Sequence, residues 1–321
     1  MLILKSIQMN IINFRRFLKK VPIVSFWGSK LLWLIREGRG WYLQKKYPNG
    51  SYLRCNGIDV FCNFFNKSFW WYDGYKANLE LDQNVIRALF EQVEGDVFLD
   101  IGAHFGFFSA FLSKELSERQ INARLIALEP DVSNFDCLCK TMNRYESPYV
   151  KFTAMNYAIS DANGSQKMFK SEQPCLHSYA EPGAKLHSEA KAISLDSLIA
   201  EFAPLGQVAL IKVDIDGAEP LFFKGGQNIL KKNNLIIFIE FAPTYLDAFG
   251  ENVQEYFNSL CNQFHVYWVS YNLNKIREVS PQDYEYIVQK VGNTVTDFVL
   301  SHSPLDLSNV LNSSSKCNLD V

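Results

Sequence analysis

Five short apolar runs recur along the chain with helix-length segments between them: VFLDIGA from Val97, ARLIALEP from Ala123, VKFTAMNYAIS from Val150, VALIKVDI from Val208 and LIIFIEFA from Leu235. Runs that do not alternate apolar with polar residues belong to strands buried on both faces, so a mostly parallel sheet covered by helices is expected. FFSAFLSKEL, SNFDCLCKTMNRY, PLFFKGGQNILKKN and ENVQEYFNSLCNQ have helical spacing, and FHVYWVSYN and TDFVLS add strands near the end. VKFTAMNYAIS reads as one third strand, and residues 161–207 as irregular apart from short β pieces around QKMFK and KAISLD. The expected fold is α/β, doubly wound.

Ahead of this alternation the pattern differs. SYLRCNGIDVFC centres on Asn56-Gly57, which permits positive φ at both turn positions and predicts a hairpin. FCNFFNKSFWWYDGY holds eight aromatics in fifteen residues, suited to a core or to a lid stacking on a flat acceptor such as a sugar. ANLELDQNVIRALFEQV follows as a helix with Leu81, Val85, Ile86, Leu89 and Phe90 on one side. Residues 1–94 therefore read as a helical and hairpin extension, 95–303 as the main domain and 304–321 as a loose Ser/Asn-rich tail.

The net charge of −2 argues against a dedicated nucleic-acid binder, but residues 1–50 hold ten Lys/Arg against Glu37 alone. This basic arm either caps the core with a solvated face or makes peripheral contact with an anionic membrane surface or acidic partner. No apolar stretch in it reaches the roughly 18 residues of a membrane span. Seven cysteines with no C-x-x-C pair suggest reduced thiols, hence a cytoplasmic protein. No oligomeric state follows from the sequence.

Chemistry concentrates in FLDIGAHFGFFSA, from Phe98 to Ala110. Gly102 and Gly106 fall where the first strand turns into a helix, the place at which doubly wound sheets bind ligands. Asp100 ends the strand, and Glu129, 23 residues past Gly106, ends the second, where an acid commonly accepts hydrogen bonds from ribose hydroxyls. A dinucleotide site needs G-x-G-x-x-G; here the spacing is D-x-G-x-x-x-G. An acid in the turn repels a pyrophosphate and suits the ammonium-bearing methionyl end of S-adenosyl-L-methionine.

FLDIGAHFGFFS, LIALEP, NYAISDANG, ISLDSL, IKVDIDGAEPLFFKGG and IIFIEFAP occur in the order and rough spacing of the FkbM family of S-adenosylmethionine-dependent methyltransferases, which the chain resembles over roughly 95–245. The resemblance implies a class I (Rossmann-like) methyltransferase fold and O-methylation of a glycan sugar or natural product. It implies that Asp100, Gly102, His104 and Gly106 surround the methionine portion, that Glu129 holds the ribose, and that Ala158 and Ile159 lie near the adenine. His104 stands where family members typically carry Asn or His.

Transfer to a hydroxyl needs alignment and a proton acceptor. Asp214 is the first candidate base, Glu240 the second and His104 the third; Lys212, Asp214 and Asp216 share one side of a regular strand. Asp214, Asp216 and Glu240 offer oxygen ligands to Mg²⁺, but nothing in their spacing demands a metal, and none is expected. His177, His187, His265 and His302 form no ligand spacing. The competing reading is a binding or scaffolding protein that kept the fold without turnover.

Overall fold

The computed structural model describes residues 38–65, 76–170, 176–177, 185–232 and 234–310. Most of the basic arm, the aromatic stretch over 66–75 and the chain beyond 310 lie outside the described residues. The chain divides into two units, residues 1–51 with 63–67 and residues 52–62 with 68–321. In the smaller, residues 38–46 are helical, and the Gln44 side-chain amide donates to the carbonyl of Phe64 (2.8 Å).

The larger unit begins with the expected hairpin. Strands β1 (Ser51–Cys55) and β2 (Ile58–Cys62) meet through Asn56 (φ 43) and Gly57 (φ 81). Helix α1 (Lys76–Leu89) follows, and both precede the 94/95 boundary expected from sequence yet belong to this unit. The central sheet then forms from β3 (Val97–Ile101), β4 (Ala123–Leu128), β5 (Val150–Met155), β10 (Val208–Val213) and β11 (Ile236–Phe241), parallel and ordered β5-β4-β3-β10-β11. All five residues of β3 are buried, and fully burying each large aliphatic side chain contributes roughly 1.5–3 kcal/mol. Helices α2 (Phe107–Glu118) and α3 (Val132–Met142) follow β3 and β4, and the hairpin lies on them: the Tyr52 hydroxyl donates to Lys140 O (2.7 Å) and Phe61 N to Thr141 Oγ1 (2.9 Å).

The expected third strand is two. Asn156 interrupts it, its side-chain amide donating to the carbonyls of Glu129 (2.8 Å) and Pro130 (3.0 Å). Beyond it β6 (Tyr157–Ser160) leaves the central sheet and joins β7 (Gly164–Lys170), β8 (Leu176–His177) and β9 (Lys185–Ser194) in a second sheet ordered β6-β9-β7-β8. The segment expected to be irregular thus carries a sheet of its own, followed by α4 (Leu195–Phe202).

After β10 come α5 (Glu219–Gly225) and, after β11, α6 (Pro243–Phe249) and α7 (Val253–Gln263). Strands β12 (His265–Ser270) and β13 (Lys275–Val279), helix α8 (Tyr284–Val291) and β14 (Thr296–Ser301) close the domain. β14 inserts antiparallel between β11 and β12. The chain after it is not loose as far as it is described: Asp306 N and O bond Gln92, Leu305 N donates to the Tyr267 hydroxyl, and Leu307 and Val310 are buried. Among the described residues no helix is long and apolar enough to cross a membrane.

The strand order reverses at β3, whose neighbours are β4, next in sequence, and β10, reached after the second sheet. Both strands end at the same level, and Asp214 N donates to Ile101 O (3.0 Å). A methyl group on Gly102 would lie 1.8 Å from the carbonyl oxygen of Asp214, whereas one on Gly57 would meet nothing within 4 Å. Both glycines have φ 81, so alanine at either costs about 1–2 kcal/mol in backbone strain. At Gly102 overpacking adds about 1–3 kcal/mol. Urea unfolding of Gly102→Ala and Gly57→Ala should therefore show the larger loss at 102; equal losses would contradict the close approach.

Candidate active site

The turn after β3 is shaped by packing as much as by any ligand. Gly106 (φ 84) precedes α2, and a methyl group there would lie 2.7 Å from Leu138 Cδ1, so its bare backbone lets α3 approach. Asp100 is fully buried beneath the turn and accepts a hydrogen bond from Ser109 Oγ (2.5 Å). Burial raises its pKa against the opposing pull of the Lys212 charge and the Ser109 bond.

Between these glycines His104 adopts φ 51, which turns its main-chain N–H toward Glu129 Oε2 (2.8 Å). Glu129 Oε1 accepts from Asp131 N (3.0 Å) and Asn134 Nδ2 (3.2 Å), so both carboxylate oxygens are held. Burial nonetheless pushes Glu129 up to about 7, because the donors only partly offset the loss of water. The His104 ring stacks on Phe105 with centroids 4.1 Å apart. Burial lowers its pKa to about 4, leaving the imidazole neutral near pH 7.

One cavity opens outside the carboxyl ends of β3 and β10. Gly102, His104, Glu129, Ala158, Ile159, Lys212, Asp214 and Glu240 line it, eight of the ten site residues expected from sequence; Asp100 and Gly106 lie behind the wall. Phe108 and Phe238 supply apolar lining, their rings stacked at 6.2 Å. Lys212 Nζ lies 2.8 Å from Asp214 Oδ2. Burial alone would lower the lysine's pKa, but the charges of Asp214 and Asp100 outweigh it and hold it above its usual value. Lys212 is thus an anchored cation rather than a base. Glu219, buried below, accepts from Ile215 N (3.2 Å) and Gly217 N (3.4 Å) and so fixes the loop that carries Asp216.

Sequence reasoning missed two further carboxyls on the wall, Asp82 from α1 and Asp297 from β14. Asp297 lies in register with Glu240 across the antiparallel pair, where like charges destabilise a sheet. Tyr271 bridges the other pair: its hydroxyl lies 2.7 Å from Asp82 Oδ1 and also meets Asp297 Oδ2. One O–H donates to only one acceptor, so the two carboxyls compete for the same hydroxyl. Burial above all raises Asp82, Asp216, Glu240 and Asp297 well above the usual range, with neighbouring acids adding to it. The only signal for Asp82 was a polar position in an amphipathic helix, which reads as solvent-facing, and Asp297 carried none.

A family model described as a methyltransferase FkbM domain matches residues 100–269, over half of the chain. The hexuronic acid methyltransferase AglP of Haloferax volcanii is 27% identical over 161 residues, 50% of this chain and 62% of that protein. A solved FkbM methyltransferase from Methylobacillus flagellatus KT aligns with TM-score 0.40 at 14% identity, over 73% of this chain and 60% of that one. TYW2 of M. jannaschii in complex with AdoMet aligns with TM-score 0.38 at 12% identity, over 78% of this chain and 84% of that one. The chain thus spans less than two thirds of the length of the first two.

The buried carboxyls set a pH dependence. A carboxyl raised in the folded state holds its proton where the unfolded chain has lost it, so the stability it contributes is present below the unfolded pKa and is lost as pH rises through the folded one. For Glu129 and Glu219 that window runs from the usual 4.5 to about 7. His104 acts oppositely, favouring folding as pH rises from about 4 toward 6.5, but is one group against several. The thermal midpoint of the ligand-free protein should therefore fall between pH 5 and 8, on the order of the shifts above. In Glu129→Gln the fall should be shallower by up to about 3 kcal/mol. An unchanged slope in that variant would show that Glu129 does not titrate in this range.

Proposed function

The chain belongs to the FkbM family of methyltransferases, with S-adenosyl-L-methionine as methyl donor, and on that premise we propose that it O-methylates a hydroxyl of a glycan sugar or related natural product. The observation that carries this reading is a single cavity with two unlike halves at the switch point of the sheet. One half offers a buried acid fixed by main-chain N–H groups, Glu129, near the apolar side chains of Ala158 and Ile159. This donor set fits a nucleoside: Glu129 would hold the ribose hydroxyls, Ala158 and Ile159 would flank the base, and the Gly102–His104 turn would face the methionyl end. Asp100, beneath that turn, would act through its charge.

When bound, S-adenosylmethionine supplies a methyl group on a sulfonium centre. The acceptor half of the cavity does the rest with carboxylates. Asp214 projects into it and is held by Lys212, whose retained charge keeps the aspartate oriented. In this position Asp214 accepts the proton of the acceptor hydroxyl; Glu240 is placed to share that task, and burial lowers the His104 pKa to about 4, well below the usual imidazole value. The sugar named in the hexuronic acid relative supports a saccharide acceptor here.

Calorimetric titration with S-adenosylhomocysteine should show binding that Glu129→Ala abolishes. Asp214→Ala should instead keep the affinity within about tenfold and lower turnover of an accepted sugar by about 10²-fold or more. Absence of nucleoside binding to the wild-type protein would overturn the reading and leave a scaffold as its replacement.

A further inference from the structure

The acceptor half holds more carboxylate than the proposed transfer uses. Six acidic side chains line the cavity, and among the described residues the only Lys or Arg in its lining is Lys212, already paired with Asp214. Asp214, Asp216 and Glu240 each present an oxygen such that these atoms all lie within 4.8 Å of one another. Three atoms so spaced always leave a point within about 2.8 Å of all of them, near enough for small side-chain adjustments to reach the oxygen distances of bound hard cations.

A second observation is independent of this clustering. Glu240 Oε2 is sealed from solvent, and among the described residues no hydrogen-bond donor reaches it. A buried carboxylate oxygen left without a donor costs about 1–3 kcal/mol or more, a cost that a bound cation would relieve. No hydrogen bond or ion pair within the described residues reaches the Asp216 carboxylate either. With Asp214 balanced by Lys212, Asp216 and Glu240 have no cation opposite them among the described residues, and a divalent ion would match their two charges once both are ionised.

We propose that Asp214, Asp216 and Glu240 form a divalent-cation site, taking Mg²⁺ or Mn²⁺. A monovalent ammonium would leave one negative charge unbalanced, and soft metals are disfavoured by an all-oxygen ligand set. Three protein oxygens leave coordination positions open toward the cavity. On the methyltransferase reading above, those positions suit an acceptor that chelates through adjacent oxygens, a vicinal diol or a hydroxy acid, and the ion lowers the pKa of the bound hydroxyl.

The test is Mn²⁺ binding to the full chain by electron paramagnetic resonance, where the sharp six-line spectrum of the aqueous ion loses intensity on binding. The expected result is one ion per chain, displaced by Mg²⁺. Asp216→Asn and Glu240→Gln should each weaken binding by about tenfold or more. Asp216 has φ 53, which asparagine tolerates, so the first variant keeps its backbone, and a thermal melt checks both. Undiminished Mn²⁺ signal with protein in excess, or wild-type binding retained in both variants, would overturn the site. S-adenosylhomocysteine affinity is expected to be the same with and without chelator; no binding under either condition would count against the methyltransferase reading and not against the ion.

Discussion

Backbone contact between Gly102 and the carbonyl of Asp214 is the constraint on which the site depends. It is possible only because residue 102 has no Cβ, and it brings the ends of β3 and β10 close enough for Asp214 N to bond Ile101 O. From that junction one turn throws the main-chain N–H of His104 back onto Glu129, and the other carries Asp214 and Asp216 over the same opening. Gly106 acts likewise through Leu138 on α3. The two glycines that draw the eye as ligand contacts therefore work first through the packing of the chain against itself, and the wall facing the cavity is built largely by their neighbours.

Once the strand ends are fixed, the arrangement of charge breaks ordinary rules for a stable sheet. Glu240 stands opposite Asp297, and Asp82 and Asp297 converge on one tyrosine hydroxyl. A buried carboxyl without a partner favours its protonated form, and burial accordingly raises Asp82, Asp297 and Glu240. Asp214, more exposed, has the ammonium of Lys212. Local conflicts of this kind concentrate at functional sites, where stability is given up for binding.

The parallel strands were legible because burial on both faces leaves an unmistakable run of apolar residues, as in β3, β10 and β11. Asn56-Gly57 announced its hairpin through the φ values it alone allows cheaply. The break at Asn156 was not legible: it rests on two hydrogen bonds to carbonyls of another strand end, partners 26 and 27 residues away that no local pattern names. The second sheet was missed for a related reason, since β9 pairs with β6 on one side and β7 on the other, away from the central sheet. Asp297 could not be found at all, because its place depends on β14 entering between β11 and β12, a fact of sheet order rather than of sequence.

That same insertion places Asp297 in the cavity wall, across the sheet from Glu240. The family match covers residues 100–269 and so includes the turn, Glu129, Asp214 and Glu240. Asp82 lies before it, and Tyr271 and Asp297 after it. Glu129, Asp214 and Glu240 therefore belong to the matched stretch, whereas Asp82 and Asp297 reach the same cavity from α1 and from the last strand. A matched domain whose own residues line most of a cavity can have that lining altered by what its flanks add. Here the flanks add two carboxyls, Asp82 and Asp297, both in contact with the Tyr271 hydroxyl, so the chemistry of that part of the wall is decided outside the matched stretch.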